Sequence, residues 1–385
     1  MSEASTGFHV TIPPDGSLVP DVDKIAVLRA NALGDLLFAL PALGALRAAY
    51  PAAEIVLLAR SWHAEFAVGR IPAVDRTVVV PRCEGIWAEP GGVDDQEELD
   101  RFFEAMQQER FDLAFQLHGG GRYSNSFVRR LGARVTVGLA TPDAEPLDRS
   151  VPYVYYQSEV FRLLEVVARA GASPVGHEPR LLLREADLAE AGEVVDGDAL
   201  LAALHPGATD SRRRWPPERF AAVGDALALA GAQVVVTGTD QEADLVDDVV
   251  RRMEAKATGL AGALSTGGLA GLLACCAVVV SNDSGPLHLG GAVGAATVGI
   301  FWCGNLINAG PVTRSRHRPA VSWRLDCPTC GTNCITGSCT HTASFVADVP
   351  LEEVRQSALD LLAAGSARPG AAAVGLGQET EAAPR

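Results

Sequence analysis

Short apolar runs alternate with longer amphipathic ones along most of this chain. "KIAVLRA" (24–30), "AEIVLLAR" (53–60) and "DRTVVVP" (75–81) have the length and composition of strands, whereas "QEELDRFFEAMQQERF" (96–111) spaces its apolar residues at helical intervals. "DLAFQLHG" (112–119) and "RVTVGLA" (134–140) read as further strands around a short helix, "NSFVRRLGA" (125–133). Runs that are apolar on both faces suit a parallel sheet covered by helices on either side, so the pattern predicts an α/β fold of βα units.

After the helical stretch "YYQSEVFRLLEVVARAG" (155–171) the periodicity stops at "ASPVGHEPR" (172–180), where a linker is placed. The alternation then restarts: strand "ALLAALHPG" (199–207), a helix over 217–230, strand "AQVVVTGT" (232–239), helices "EADLVDDVVRRME" and "STGGLAGLLACC", and strands "AVVVSND" (277–283) and "AATVGIFW" (295–302). The expected organisation is a loose leader at 1–22, a first α/β domain at 23–171, a second at 181–345, a final helix at 346–364 and a disordered Ala/Gly/Pro tail at 365–385. A length of 385 residues accommodates two such domains, each with its own core. Within the first helix, Pro41 costs a hydrogen bond, so a kink or a late helix start is expected after Asp35.

The net charge of -15 argues against nucleic acid as a partner, and an anionic ligand would need a local basic pocket. No apolar run has bilayer length, and "MSEASTGFHVTIPPDGSLVP" lacks the basic-then-apolar order of a secretory signal, so a cytoplasmic protein is expected. Eight cysteines in a chain of this size do not make a disulfide scaffold; Cys83, Cys275, Cys276 and Cys303 are read as buried free thiols.

Candidate chemistry concentrates where strands end. In "VVVSNDSGPLHLGGAVG" (278–294) a buried strand leads through Asn282, Asp283, Ser284, Gly285 and Pro286 into a helix carrying His288. Such a turn collects free N–H groups and the positive end of a helix dipole, which suits a diphosphate, although Asp283 and Ser284 as plain helix caps explain the same residues. "LHPGATDSRRRWPPERF" (204–220) places Thr209 and three arginines, Arg212 to Arg214, at an equivalent strand end: a phosphate clamp or a solvated basic run. "VVVTGTDQEAD" (234–244) offers Thr237 and Gly238, where small residues let a ligand approach the backbone, while Asp240 and Glu242 read as helix-start acids.

In the first half, "RANALGD" and "QLHGGGRYSNS" are the strand-end loops. Neither is a G-x-G-x-x-G fingerprint, and the strand that should end in a ribose-binding acid ends in Ala59 and Arg60, which disfavours a dinucleotide. Asp35 is the lone carboxylate of the first loop, a helix-start acid or a catalytic base. Asn31, Arg60, His118 and Arg122 are the other polar candidates at the strand ends of this half.

The cluster "CPTCGTNCITGSC" has C-x2-C-x3-C-x4-C spacing at Cys327, Cys330, Cys334 and Cys339. Reduced thiols, disulfides and a structural zinc, with His341 able to replace one thiolate, all remain open; no catalytic metal is expected, because no water-activating His or Glu set lies nearby.

Together the segments "VLRANALGDLLFALPALGALRAAYPAAEI", "LHPGATDSRRRWPPERFAAVGDAL", "VVVTGTDQEADLV" and "LLACCAVVVSNDSGPLHLGGAVGAATVGIF" resemble glycosyltransferase family 9, the ADP-heptose:lipopolysaccharide heptosyltransferase-like enzymes of GT-B fold. The resemblance implies two Rossmann-like domains facing a cleft, with the acceptor on the first and a nucleoside-diphosphate sugar on the second. It implies metal-independent transfer with inversion, Asp35 as general base, and Asp283, Ser284, Gly285 and His288 at the diphosphate and sugar. Arg213 stands where members usually carry the phosphate-binding Lys. Partners would be a nucleotide sugar and a glycan or small hydroxyl acceptor, with membrane contact only peripherally, through the acceptor; no separate cofactor is implied. Two other readings of the architecture are a nucleotide-sugar 2-epimerase or hydrolase, and a non-catalytic zinc-containing binding module.

Overall fold

The computed structural model describes residues 16–88, 91, 94–195 and 200–366. The first half runs β1 (Lys24–Leu28), α1 (Leu33–Ala49), β2 (Glu54–Ala59), α2 (Ser61–Ala67), β3 (Arg76–Val79), α3 (Gln96–Gln108), β4 (Leu113–Gln116), α4 (Ser124–Arg130), β5 (Val135–Ala140), β6 (Arg149–Pro152) and α5 (Glu159–Ala168). A connecting helix, α6 (Glu185–Gly192), precedes β7 (Leu201–His205), α7 (Pro217–Leu229), β8 (Gln233–Gly238), α8 (Ala243–Arg252), β9 (Ala257–Ala261), α9 (Thr266–Cys275) and β10 (Cys276–Asn282). The chain continues through α10 (Gly285–Ala292), β11 (Ala296–Trp302), α11 (Cys303–Ala309), β12 (His317–Ser322) and α12 (Leu351–Ser366).

These strands form two six-stranded sheets, ordered β3-β2-β1-β4-β5-β6 and β12-β11-β10-β7-β8-β9, and every pairing is parallel. Counted from its own first strand, each sheet has the same order, 3-2-1-4-5-6. Strand order therefore reverses between β1 and β4 in one sheet and between β7 and β10 in the other, and such crevices at strand carboxyl ends are where doubly wound sheets bind ligands.

Apolar burial follows the layers. Phe103, Met106 and Phe127 of α3 and α4 cover the outer face of the first sheet, and Phe220, Val249 and Val354 of α7, α8 and α12 cover that of the second. Between the sheets lies one continuous core: Leu36, Leu43 and Leu163 of α1 and α5 share it with Leu272 and Leu289 of α9 and α10. The inner helices of the two halves thus pack directly on one another.

One polar contact fastens this junction. Arg70, just after α2, meets Asp187 of α6 through two hydrogen bonds, one of them 2.8 Å from Nε to Oδ2, with both side chains buried. Small residues on α9 make room: a Cβ on Gly271 would lie 2.2 Å from the Asp187 carbonyl oxygen. Burial alone would push the Asp187 carboxyl up, but the hydrogen bond and charge of Arg70 hold it below the usual range.

Several expectations are corrected. Helix α1 starts at Leu33, ahead of Asp35, and continues through Pro41, so there is no late start; burial of Leu36 to Leu46 on the sheet offsets the lost hydrogen bond. The leader is not loose throughout, since Val19 is buried and its N–H donates to Tyr50 Oη at 3.1 Å. Residues 1–15 of the leader and 367–385 of the tail lie outside the described residues, while Gly365 and Ser366 belong to α12. Cys275 is exposed because the end of α9 turns it outward; Cys83, Cys276 and Cys303 are buried as expected. Among the described residues, no helix is long and apolar enough to cross a membrane.

Candidate active site

The loops after β1, β4, β7 and β10 all leave central strands at the two crevices, and they carry Asp35, His118, Arg213 and Asp283 respectively. Asp283 is the hub of the second-half group. Its backbone N–H donates to the Ile300 carbonyl at 3.0 Å, which fixes the residue against β11, and its carboxylate is 3% exposed as a residue. Three donors converge on that carboxylate: His288 Nε2 at 3.2 Å, Arg213 Nη1 at 3.2 Å and Asn305 Nδ2 at 2.6 Å. Burial pushes the Asp283 carboxyl up, and these neighbours more than reverse that, leaving it below the ordinary carboxylate range.

The three arginines have separate fates. Arg212 pairs with Asp210 through three contacts of 2.6–3.0 Å, and Arg214 Nε donates to the Ala208 carbonyl at 2.9 Å. Arg213 alone turns to the end of β10, where Nη1 also donates to the Asp283 carbonyl at 3.2 Å. The two loops are stapled together by buried Asn282, which accepts from the Trp215 N–H at 3.0 Å and donates to the Pro206 carbonyl at 2.7 Å.

Ser284 occupies the N-cap of α10, and Pro286 stands in its first turn. The Ser284 hydroxyl does not close the helix; it donates to the Asn282 carbonyl at 3.2 Å. Ser284 and Gly285 therefore present first-turn N–H groups that the helix itself does not use. Thr209 is exposed on the β7 loop. The Thr237 hydroxyl lies 3.0 Å from Nδ1 of buried His205, and a Cβ on Gly238 would strike Val246 at 2.6 Å. Glu242 accepts from the Thr239 N–H and hydroxyl at 3.0 Å each, as a helix-start acid does.

On the facing half, Asp35 lies in the first turn of α1, with 39% of its side chain exposed. Oδ2 accepts the Ala32 N–H at 3.2 Å, and Oδ1 lies 3.3 Å from Arg29 Nη2. Arg29 is 1% exposed; it also donates from Nε to the Asp35 carbonyl at 2.8 Å and contacts Glu159 Oε1 at 3.1 Å. Glu159 in turn pairs with Arg162, whose Nη2 binds the Val154 and Tyr155 carbonyls at 2.6 and 2.7 Å. Arg29 was not singled out in the sequence; its signal is a cation ending an otherwise apolar buried strand.

Around Asp35, the Ala30 N–H donates to His118 Nδ1 at 3.2 Å, placing the ring proton on Nε2. Burial, then the charges of Arg29 and Arg60, push the His118 imidazole down to about 3, so it is neutral. Asn31 Oδ1 and Arg60 Nε are buried polar atoms without a hydrogen-bond partner. Arg122 is exposed and pairs with Asp143 at 3.6 Å, so it is engaged away from this group.

The halves meet at the site itself. A Cβ on Gly34 would lie 3.2 Å from His288 Cδ2, and one on Gly285 would lie 3.5 Å from Leu33 Cβ. The Phe38 ring packs edge-on against His288, centroids 4.6 Å apart. Asp35 thus follows a glycine that leaves room for the His288 ring, and that ring packs on Phe38 of the same helix.

In the cysteine segment three of the four thiols group with His341. The donor atoms of Cys327, Cys330, Cys339 and His341 lie within 4.8 Å of one another, while Cys334 Sγ points to the Thr332 carbonyl at 3.3 Å. The tight turns around Cys334 aim it away, and His341 takes its place.

A model of the family described as glycosyltransferase family 9 (heptosyltransferase) matches residues 99–330. Lipopolysaccharide heptosyltransferase 2 of Salmonella typhimurium is 24% identical over 295 residues, covering 72% of this chain and 82% of the relative. Among solved structures, a family 9 glycosyl transferase from Veillonella parvula superposes with a TM-score of 0.74 at 21% identity, covering 90% of this chain and 99% of the other. The ADP-heptose LPS heptosyltransferase II of E. coli gives 0.70 at 19% identity, covering 89% and 100%. With two facing parallel sheets and a match over more than half its length, the chain belongs to glycosyltransferase family 9 and is a glycosyltransferase of GT-B fold.

Proposed function

We propose that this glycosyltransferase moves a heptose or related sugar from an ADP-linked donor to a hydroxyl of a lipopolysaccharide-type glycan, with inversion and without a metal in the transfer step. The observation that supports the reading is the packing of α1 on α10, with Phe38 against His288 and no room for a side chain at Gly34, since Asp35 stands on the first of these helices and His288, bound to Asp283, on the second. The ADP donor is supported by the name of the E. coli structural neighbour.

In this mechanism the acceptor hydroxyl loses its proton to Asp35 as its oxygen attacks the anomeric carbon. The bond from that carbon to the diphosphate oxygen breaks on the opposite face, which inverts the centre. Charge building on the departing phosphate is met by the Arg213 guanidinium and the N-terminus of α10, donors fixed before the reaction and needing no reorganisation. Asp283 faces its three donors, so it is a positioning residue that aims Arg213 and His288. Arg29, pinned between Asp35 and Glu159, orients the base. Asn31 and Arg60 supply unfilled polar positions for the acceptor.

The test is a titration of ADP, UDP and GDP followed by turnover of ADP-heptose with and without a truncated lipopolysaccharide acceptor. Selective ADP binding and acceptor-dependent release of ADP support the reading. Epimerised or hydrolysed donor at full rate without acceptor contradicts it.

A further inference from the structure

Outside the cleft, one cluster of side chains has a ligand-like arrangement that sugar transfer does not use. After β12, Asp326 and Asn333 form an antiparallel bridge, and the Cys327 N–H donates to the Thr332 carbonyl at 2.8 Å. Inside this small hairpin the Gly331 N–H returns to the Cys327 carbonyl at 3.0 Å, and Gly331 has φ +72°, a conformation that favours glycine. The Thr329 N–H points at Cys327 Sγ from 3.4 Å, a donor placed to support a thiolate. Cys330 lies across the turn, and the chain returns with Cys339 and His341 to complete four soft donor atoms within 4.8 Å of one another.

A tetrahedral ion with metal–sulfur bonds of about 2.3 Å has ligand–ligand edges of about 3.8 Å, so closing this cluster needs shifts of about 1 Å or less. The geometry does not favour a pair of disulfides, because His341 occupies the fourth corner while Cys334 stands outside. Carboxylates are absent from the group, which selects a thiolate-preferring ion over magnesium or calcium.

The segment supports the donor loop. Ser344 Oγ donates to the Arg214 carbonyl at 2.7 Å and the Phe345 N–H to the Arg212 carbonyl at 2.7 Å, which brackets Arg213. From the first half, Tyr156 Oη donates to the Ile335 carbonyl at 3.0 Å. We propose that Cys327, Cys330, Cys339 and His341 bind one structural zinc ion, which clamps the 323–345 segment between Tyr156 and the loop carrying Arg213.

Full-length protein purified with a non-thiol reductant, reconstituted with Zn2+ and desalted, tests this by elemental analysis. About one zinc per chain is expected for the wild type and for Cys334→Ser, and less than a tenth of that for Cys327→Ser and Cys339→Ser. With Co2+ in place of zinc, tetrahedral ligand-field and thiolate charge-transfer bands should appear, and His341→Ala should shift them. In case the variants misfold, the wild type stripped by a chelator gives a second readout: proteolysis within 323–345 should become at least tenfold faster and return to baseline on adding Zn2+. A folded wild type that retains no zinc, a Cys334→Ser variant that loses as much as Cys339→Ser, or proteolysis indifferent to zinc would overturn the proposal.

Discussion

Arg213 Nη1 lies 3.2 Å from Asp283 Oδ2 and 3.2 Å from the Asp283 carbonyl oxygen, joining the loop after β7 to the loop after β10. The two atoms bonded to one guanidinium nitrogen belong to a residue 70 positions away, so the pair sets the separation of the two donor loops. A diphosphate entering there meets an arginine already aimed.

Arg213→Ala is expected to weaken ADP binding by roughly 10- to 100-fold, the effect of losing one charge-assisted hydrogen bond of about 1.5–3 kcal/mol. Calorimetry reads this directly. Arg213→Lys should recover part of the loss, because the charge remains while the planar guanidinium with its five fixed donors is gone. Unchanged affinity in Arg213→Ala would remove it from the donor site.

Asp283→Asn should act through its neighbours. Arg213 would then lose its counter-charge and His288 its carboxylate partner, so donor KM should rise with the loss of aim, and the protein should be destabilised as a buried network is broken. Thermal unfolding and donor titration together check it. A variant of full stability and unchanged KM would contradict the positioning role.

At the junction of the halves, Asp187→Asn leaves Arg70 buried and unpaired, at an expected cost of about 3–5 kcal/mol. The folded-state pKa of Asp187 is depressed, so its contribution is present above the unfolded carboxylate range near pH ~4 and is lost as pH falls through the lower folded value. The destabilisation caused by Asp187→Asn should accordingly be full at pH 7 and shrink in strong acid. Urea unfolding at both conditions measures it.

Acid sensitivity should begin earlier than that carboxylate predicts. Burial, then neighbouring arginines, lower His63 and His118 to about 3, and burial lowers His205 to about 4. Each is depressed, so its contribution is complete above the unfolded value near pH ~6.5 and declines as pH falls toward the folded value. Denaturant midpoints should drop between pH 7 and pH 5, and less steeply in His63→Asn. A flat profile over that interval would contradict neutral buried imidazoles.

The central strands of both sheets were legible because a strand paired on both sides and covered on both faces is a continuous apolar run, as in "KIAVL" or "AVVVSN". The edges were not. β6 reads RSVP, β9 ATGLA and β12 HRPAVS; each pairs on one side only, tolerates Pro or Gly, and so lacks that signature. The short helices α2, α6 and α11 were missed, since seven or eight residues make few turns in which to show a period; α4 and α10, equally short, were placed by the strand and glycine-containing loop before each. At the site, Asp35, Arg213, Asp283 and His288 stood in recognisable loops. Asn305 and Glu159 reach it from other elements, 22 and 130 residues from the partners they hold, and no local pattern announces such a contact.

The central claim, that Asp35 is the base serving a donor held by the opposite half, is tested most directly by measuring kcat and ADP affinity of Asp35→Asn. A general base contributes typically 10²- to 10⁴-fold, so kcat should fall by about that factor while ADP affinity stays within about twofold of wild type. Retained kcat, or a loss confined to ADP binding, would contradict it.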